Sequence, residues 1–201
     1  MKRIVLICIC LSVMVAGSVL VGQPVTLLLN VQTPPLPWGE SELYHKLNVR
    51  LSRDQAFRIV CADDNLPGLP NFPRDRFNFD SLLDWAQEAG GRYLMVVTVE
   101  SERIVREKSF NIPLIFHKWQ TKGIIEGEYR LYDVMRGKQL QAEPFKVELD
   151  GPRVFQGSMD DDKFDPDIHL SAVEKLTFIS RLEDLLAEKL TARYMHGMRN
   201  P

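Results

Sequence analysis

The segment from Tyr93 to Val99 constrains the fold of this chain more than any other. Every residue in it except Thr98 is apolar or aromatic, so neither face alternates toward water. This pattern predicts a central strand that is covered on both sides. From Ile125 onward, apolar and charged residues alternate, which predicts a second strand with one face in water. The chain is therefore organised around a sheet with a buried centre.

The turn after the second strand has the residues that a hairpin needs. Asp133 can accept a hydrogen bond from its own backbone, and Gly137 can adopt a positive φ. Pro144 cannot donate to a sheet ladder, and the apolar residues resume in a shifted phase over Phe145–Leu149. We therefore expect a bulge or a sheet edge near Pro144, within an antiparallel meander.

Two strands and two helices are predicted before the central strand. The strands are Val25–Val31, which is almost wholly apolar, and Ala56–Cys61. Leucines spaced four residues apart predict an amphipathic helix between them. A second helix is predicted from an asparagine cap at Asn78 to the glycine pair Gly90–Gly91. Strands joined through helices should be parallel, with right-handed crossovers.

A long helix is predicted to close the chain. Ser171 and Glu174 form a capping-box pair, and apolar residues then recur every three or four positions up to Gly197. We expect this apolar stripe to pack on the sheet, because it would be costly to leave in water. Its members are Val173, Leu176, Ile179, Leu182, Leu186 and Leu190. The predicted class is α/β (α+β): a mixed sheet, β-α-β-α-β followed by an antiparallel meander, with the C-terminal helix on the sheet.

The amino-terminal residues are predicted to lie outside this fold. Two basic residues precede an uncharged run from Ile4 to Ala16, and small residues follow it, which is typical of a secretory signal peptide. The alternative is an uncleaved anchor, because apolar residues continue to Val21. We divide the chain into a signal peptide or anchor at residues 1–18 and one domain at residues 19–201.

Composition limits the classes of function. The chain has 201 residues, of which 45% are hydrophobic, enough for one ordinary core. A formal net charge of −2 provides no overall attraction to nucleic acid or an anionic bilayer. Of the three cysteines, Cys61 alone follows the predicted signal segment, so an internal disulfide is not expected.

No motif predicts catalysis, a cofactor or a metal. The acidic segment Asp160–Asp167 lacks the glycine and glutamate positions of a calcium loop, and the four histidines are scattered. No glycine-rich phosphate loop follows a strand, and no nucleophile elbow is present. We expect a protein that is not an enzyme.

The loops that follow the first two strands contain candidate partner-binding residues. If these strands are parallel, both loops leave the same rim of the sheet, where open α/β folds often bind ligands. Aromatic and arginine side chains are frequent interface anchors. The candidates are Trp38, Leu69, Phe72, Arg74 and Arg76. In the alternative, Trp38 and Phe72 close over the core as plugs.

Three segments resemble the CsgG-like and TolB amino-terminal-like group of exported proteins. They are AFRIVCADD, AQEAGGRYLMVVTVES and IEGEYRLYDVMRGKQL. That group includes the curli secretion channel, the outer-membrane lipoprotein activators of penicillin-binding proteins and the amino-terminal domain of TolB. The resemblance covers most of residues 25–196, and its motifs are Gly90–Gly91 and the turn at Asp133, Val134 and Gly137. The lipobox cysteine of many members is missing here, and the transmembrane insertions of the secretion channel have no obvious counterpart.

The resemblance implies a non-catalytic periplasmic accessory or assembly protein that binds another cell-envelope protein. The alternative is a structural subunit that self-associates into an envelope, secretion or motility complex, as a homo-oligomer. Nucleic acid is not an expected partner, and the membrane is one only through an uncleaved N-terminal segment. In that case the domain would be anchored at the inner membrane and would face the periplasm.

Overall fold

Five strands form one mixed sheet. The computed structural model describes residues 24–37, 39–54, 56–61, 78–112, 116–156 and 170–199. The strands are β1 (Val25–Gln32), β2 (Phe57–Cys61), β3 (Tyr93–Ile112), β4 (Phe116–Asp133) and β5 (Lys138–Gln156). The helices are α1 (Leu43–Leu51), α2 (Phe79–Glu88) and α3 (Ala172–Arg199). The chain order is therefore β-α-β-α-β, then a meander, then the long helix.

The sheet has the strand order β2-β1-β3-β4-β5. β1 pairs in parallel with both β2 and β3, whereas β3, β4 and β5 pair antiparallel. Strands linked through a helix are thus parallel, and strands linked by a hairpin are antiparallel, as sequence predicts. The segment Leu94–Val97 of β3 is buried on both faces, which confirms its central position.

Helices cover both faces of the sheet. α1 and α3 pack together on one face and enclose the larger core, where Leu43, Leu47 and Leu51 form the buried stripe of α1. α2 covers the opposite face with Leu82 and Trp85, over a smaller core. The mixed sheet with the C-terminal helix packed on it confirms the predicted class.

Local signals mark the helix ends. The Asn78 side chain accepts hydrogen bonds from the backbone N–H groups of Asp80 and Ser81, at 3.1 and 3.3 Å. Gly90 has a φ of +71° after α2, the left-handed conformation that glycine permits at a helix end. These two ends of α2 were both predicted correctly.

The capping box of α3 is also confirmed. The Ser171 N–H donates to the Glu174 carboxylate at 2.8 Å, and the Glu174 N–H donates to Ser171 Oγ at 3.3 Å. This reciprocal pair satisfies two of the backbone donors that a helix start leaves free. The helix then runs to Arg199, two residues past the predicted end.

Two members of the predicted apolar stripe of α3 do not pack on the sheet. Val173 is 72% exposed and Leu176 is 36% exposed, whereas the stripe is buried from Ile179 to Leu190. The reason is helical geometry: at 100° per residue, Val173 lies on the side opposite Leu182. Phe178 is among the residues that occupy the inward positions of these turns instead.

The meander strands are longer than the sequence pattern indicates, with 20, 18 and 19 residues. β3 continues past Glu100 in its pairing with β4, and a register shift between Val99 and Ser101 changes which of its residues face α1 and α3. Near Pro144 the edge alternative is confirmed, since β5 is an edge strand. The two register shifts of this hairpin lie between Gln120 and Lys122 and between Leu131 and Tyr132, rather than at Pro144.

The hairpin turn between β4 and β5 gives a direct test of backbone strain. The Arg136 N–H donates to Asp133 Oδ1 at 3.1 Å, and Gly137 has a φ of +57°. An added Cβ at Gly137 would meet nothing within 4 Å, so a substitution acts through the backbone alone. Gly137→Val should lower the free energy of unfolding by about 1–3 kcal/mol.

Gly137→Asn provides the matched control for this measurement, because asparagine tolerates the left-handed region. Urea unfolding should show a smaller loss for Gly137→Asn than for Gly137→Val. Equal losses in the two variants would contradict backbone strain as the cause.

Candidate functional site

The predicted rim residues lie outside the described part of the chain. They are Trp38, Leu69, Phe72, Arg74 and Arg76. The acidic segment 160–167 and the predicted signal segment 1–18 lie outside it as well. The geometry on which the rim prediction depends is confirmed, because β1 and β2 are parallel neighbours.

The loop that carries Trp38 packs against the start of α3. Leu36 and Gly39, on either side of Trp38, form an isolated antiparallel bridge. A Cβ added at Gly39 would lie 2.5 Å from Cδ2 of Leu176, so loop and helix are in close contact there. The rim of the sheet thus adjoins the part of α3 that sequence analysis had assigned to the core.

The first turns of α3 present apolar side chains to solvent. Val173 and Leu176 are the exposed pair, and Val173 lies one helical turn from Leu170 and Thr177, which line a groove of about 200 Å³. The groove is lined by Leu170, Glu174, Thr177, Phe178 and Arg181. We call the groove together with Val173 and Leu176 the α3 surface.

Phe178 forms the floor of the groove because two glycines make room for its ring. A Cβ at Gly123 on β4 would come 2.8 Å from the ring, and one at Gly151 on β5 would come 3.0 Å from it. Only 8% of Phe178 is exposed. The floor is therefore fixed by packing on the sheet, while Val173 projects into solvent.

The walls of the groove carry opposite charges. Hydrogen bonds from the Ser171 backbone and side chain lower the pKa of Glu174, so Glu174 stays ionised at neutral pH. Arg181 follows seven residues later, which places the two backbone positions about 10 Å apart along the helix. An apolar floor between a carboxylate and a guanidinium resembles an interface with a polar rim.

A second cluster of charged residues is buried between α1 and α3. Glu183 of α3 is 1% exposed and accepts hydrogen bonds from Ser41 Oγ at 2.5 Å and from the Glu42 N–H at 3.1 Å. Lys46 of α1 places its Nζ 3.5 Å from the Glu183 carboxylate and donates to Ser180 Oγ at 2.6 Å. Glu183 thereby satisfies donors at the start of α1.

Glu102 approaches this cluster from β3. Both of its carboxylate oxygens are inaccessible to solvent and have no hydrogen-bond partner within the described ranges. Burial raises the pKa of Glu102 to about 7, repulsion from Glu183 adds to the rise, and attraction to Lys46 opposes it. Sequence analysis missed this residue, because the register shift that turns it inward is visible only in the pairing of β3 with β4.

Two features are absent from the described residues. No group of three or more His, Cys, Asp or Glu side chains in these ranges is arranged to hold a metal ion. Across the same ranges, no helix combines the length and apolar character needed to cross a membrane.

No family model matches the sequence, and no curated protein matches it. Solved structures do match. A hypothetical protein from Chlamydia trachomatis is 11% identical, with 86% of this chain and 96% of that chain covered and a TM-score of 0.46. A lipoprotein from Neisseria meningitidis is 13% identical, with 89% and 100% covered and a TM-score of 0.41.

The rare lipoprotein B from Shewanella oneidensis is similar to a comparable extent. It is 14% identical, with 87% of this chain and 96% of that chain covered and a TM-score of 0.40. Two of these three similar structures are therefore lipoproteins. Likenesses at this level assign neither a family nor a function to the present chain.

Proposed function

We propose that this chain is a non-catalytic accessory protein of the cell envelope, which binds another envelope protein through the α3 surface. The observation that carries the proposal is the exposed Val173, one helical turn from the lining of a groove with a fixed aromatic floor. Apolar side chains grouped at a groove favour contact with a protein partner. The accessory role follows the resemblance to the CsgG-like and TolB amino-terminal-like group.

Burial of the apolar pair is the driving force that we propose for binding. Covering a fully exposed valine or leucine is worth about 1.5–3 kcal/mol; Val173, which is 72% exposed, can gain most of this, whereas Leu176, which is 36% exposed, gains a smaller part. Glu174 and Arg181 would then fix the orientation of the partner, because charges at the rim of an interface contribute specificity more than affinity. A partner segment with apolar residues flanked by one basic and one acidic side chain fits this arrangement.

The rim residues from the loops extend the proposed surface. Trp38 belongs to the loop that packs against Leu176, so we propose it as an additional aromatic anchor. Leu69, Phe72, Arg74 and Arg76 stay proposed partner-binding residues of the loop after β2. That loop leaves the sheet next to the end of β1, since the two strands are parallel neighbours.

Export completes the proposal. We propose that residues 1–18 are a signal peptide and that residues 19–201 act in the periplasm as one domain. The alternative is an N-terminal anchor in the inner membrane, with the domain facing the periplasm. Both place the α3 surface where envelope proteins can reach it.

The β5 edge argues against self-association by strand pairing. Lys189 Nζ donates to the backbone oxygen of Lys146 at 2.8 Å, and Pro144, two residues earlier, has no N–H to offer. Both positions lie on the same hydrogen-bonding side of the edge strand. A lysine and a proline at an edge are two ways in which proteins prevent strand addition, so we favour the accessory role.

Val173→Asp tests the proposed surface. Because Val173 is exposed, the free energy of unfolding should stay within about 0.5 kcal/mol of wild type. A buried charge at the interface should reduce recovery of the envelope partner at least about tenfold, which corresponds to 1.4 kcal/mol.

Met135→Asp is the matched control for this experiment, because Met135 is 74% exposed at the distant hairpin turn. Recovery is measured by affinity purification from the native envelope, with urea unfolding of each variant. Unchanged recovery with Val173→Asp, or equal losses in both variants, would remove the α3 surface as the binding site.

A further inference from the structure

The burial of Glu102 is a product of the bulge in β3. Before the register shift, the odd-numbered Met95, Val97 and Val99 face the core under α1 and α3. After it, Ile104 belongs to the same core, so even-numbered residues face inward and Glu102 is the first of them. A bulge that re-aims a side chain is typical of positions with a role beyond folding.

The charged groups that act on Glu102 offset its charge only in part. β4 presents Ile125 directly opposite Glu102 in the pairing, and the charged groups that act on it are Glu183 from α3 and Lys46 from α1. Lys46 Nζ already lies 3.5, 3.5 and 3.7 Å from three carboxylates. These belong to Glu42, Glu183 and Asp184. One ammonium is thus shared among three acids before Glu102 is counted.

We propose that Glu102, Lys46 and Glu183 form a pH-responsive latch, which holds α1 and α3 against the sheet when Glu102 is protonated and loosens when it ionises. Ionised Glu102 adds a second negative charge to a site closed to water, and such a charge is costly when no hydrogen bond compensates it. Separation of α1 from the sheet would let water reach the carboxylate. The latch is therefore a local opening and does not require the sheet to unfold.

The direction of the pH effect follows from the two protonation states. The pKa of Glu102 is about 7 in the closed protein and returns toward 4.5 when the site opens. Between these values the closed form holds a proton that the open form releases, so opening becomes easier as the pH rises. The opening constant should increase by up to about tenfold per pH unit between pH 5 and 7 and then level off.

Amide hydrogen exchange of α1, corrected for the intrinsic pH dependence, measures this opening. In wild type the opening constant should rise as described, and in Glu102→Gln, which cannot ionise, it should be flat. Glu100→Gln is the matched control, because Glu100 lies two residues earlier on the same strand and is exposed. That variant should behave as wild type does.

Several outcomes would overturn the latch. One is an equal pH slope in wild type and Glu102→Gln; another is a pH-dependent melting temperature without any change in α1 exchange. If Glu102→Gln does not fold, the carboxyl carbon of Glu102 is titrated by NMR in the wild-type protein. A midpoint above about 6 supports the latch and a midpoint below about 6 overturns it, because an ordinary glutamate titrates near 4.3.

Discussion

Gly127→Ala should lower the free energy of unfolding by at least about 3 kcal/mol, the upper end of the range for overpacking. An added Cβ would overlap the carbonyl oxygen of Thr98 and would lie 3.0 Å from Cα of Val99. Both atoms belong to the backbone of β3 and cannot rotate away. The cross-strand partner of Gly127 is Val99, directly before the register shift, so glycine is required where β4 passes the bulge.

Gly123→Ala is the control that separates backbone from side-chain obstruction. Its Cβ would come 2.8 Å from the Phe178 ring and 3.1 Å from the Leu182 side chain, and side chains can shift. Urea unfolding should therefore show a smaller loss, about 1–3 kcal/mol. If Gly127→Ala loses no more stability than Gly123→Ala, the close approach of the two backbones is not what requires glycine.

Features that depend on neighbouring residues could be predicted from the sequence. The Asn78 cap, the Ser171–Glu174 capping box and the Gly137 turn each involve residues at most four apart. Their chemistry is local, so their residue types suffice to indicate them. The relative directions of the strands could be predicted as well, because helical links favour parallel pairs and hairpin links favour antiparallel pairs.

The side chains that face inward could not be predicted where pairing decides them. Glu102 belongs to a charged stretch of sequence, and only the register shift of β3 against β4 makes it an inner residue. The stripe of α3 is a different case, because the spacing of nine residues already places Val173 opposite Leu182 on a helix. Gly123 and Gly151 leave room for Phe178, and this choice of anchor turns Val173 toward solvent.

The candidate site was predicted only in part. Val173 and Leu176 were interpreted as core residues from their spacing, and this interpretation was wrong. The loop residues, among them Trp38, stay predictions, since they lie outside the described residues. The parallel pairing of β1 and β2, on which the rim prediction depends, was correct. A surface is harder to predict than a core, because exposure depends on which neighbours leave a side chain uncovered.

Lys46→Met should lower the free energy of unfolding by about 3–5 kcal/mol at neutral pH. Methionine keeps much of the buried stem, so the main change is loss of the ammonium that faces Glu183 at 3.5 Å. Glu183 is 1% exposed and keeps its hydrogen bonds from Ser41 and Glu42, but its charge is left without a counterion. Removing one partner of a buried ion pair typically costs this much.

The double variant Lys46→Met with Glu183→Gln decides whether charge is the cause. Glutamine retains an acceptor for Ser41 and Glu42 but carries no charge, so the double variant should be more stable than Lys46→Met alone, with a coupling energy of about 1–3 kcal/mol in urea unfolding. Arg50→Met is the control. Arg50 is a half-buried basic residue of the same helix and forms no ion pair within the described residues. This variant should change the free energy of unfolding by about 0.5 kcal/mol or less. Because Lys46 also lowers the pKa of Glu102, its loss should keep that carboxyl protonated to a higher pH. Additive losses in the double variant would show that Lys46 stabilises the domain through packing. They would also show that its charge does not stabilise Glu183.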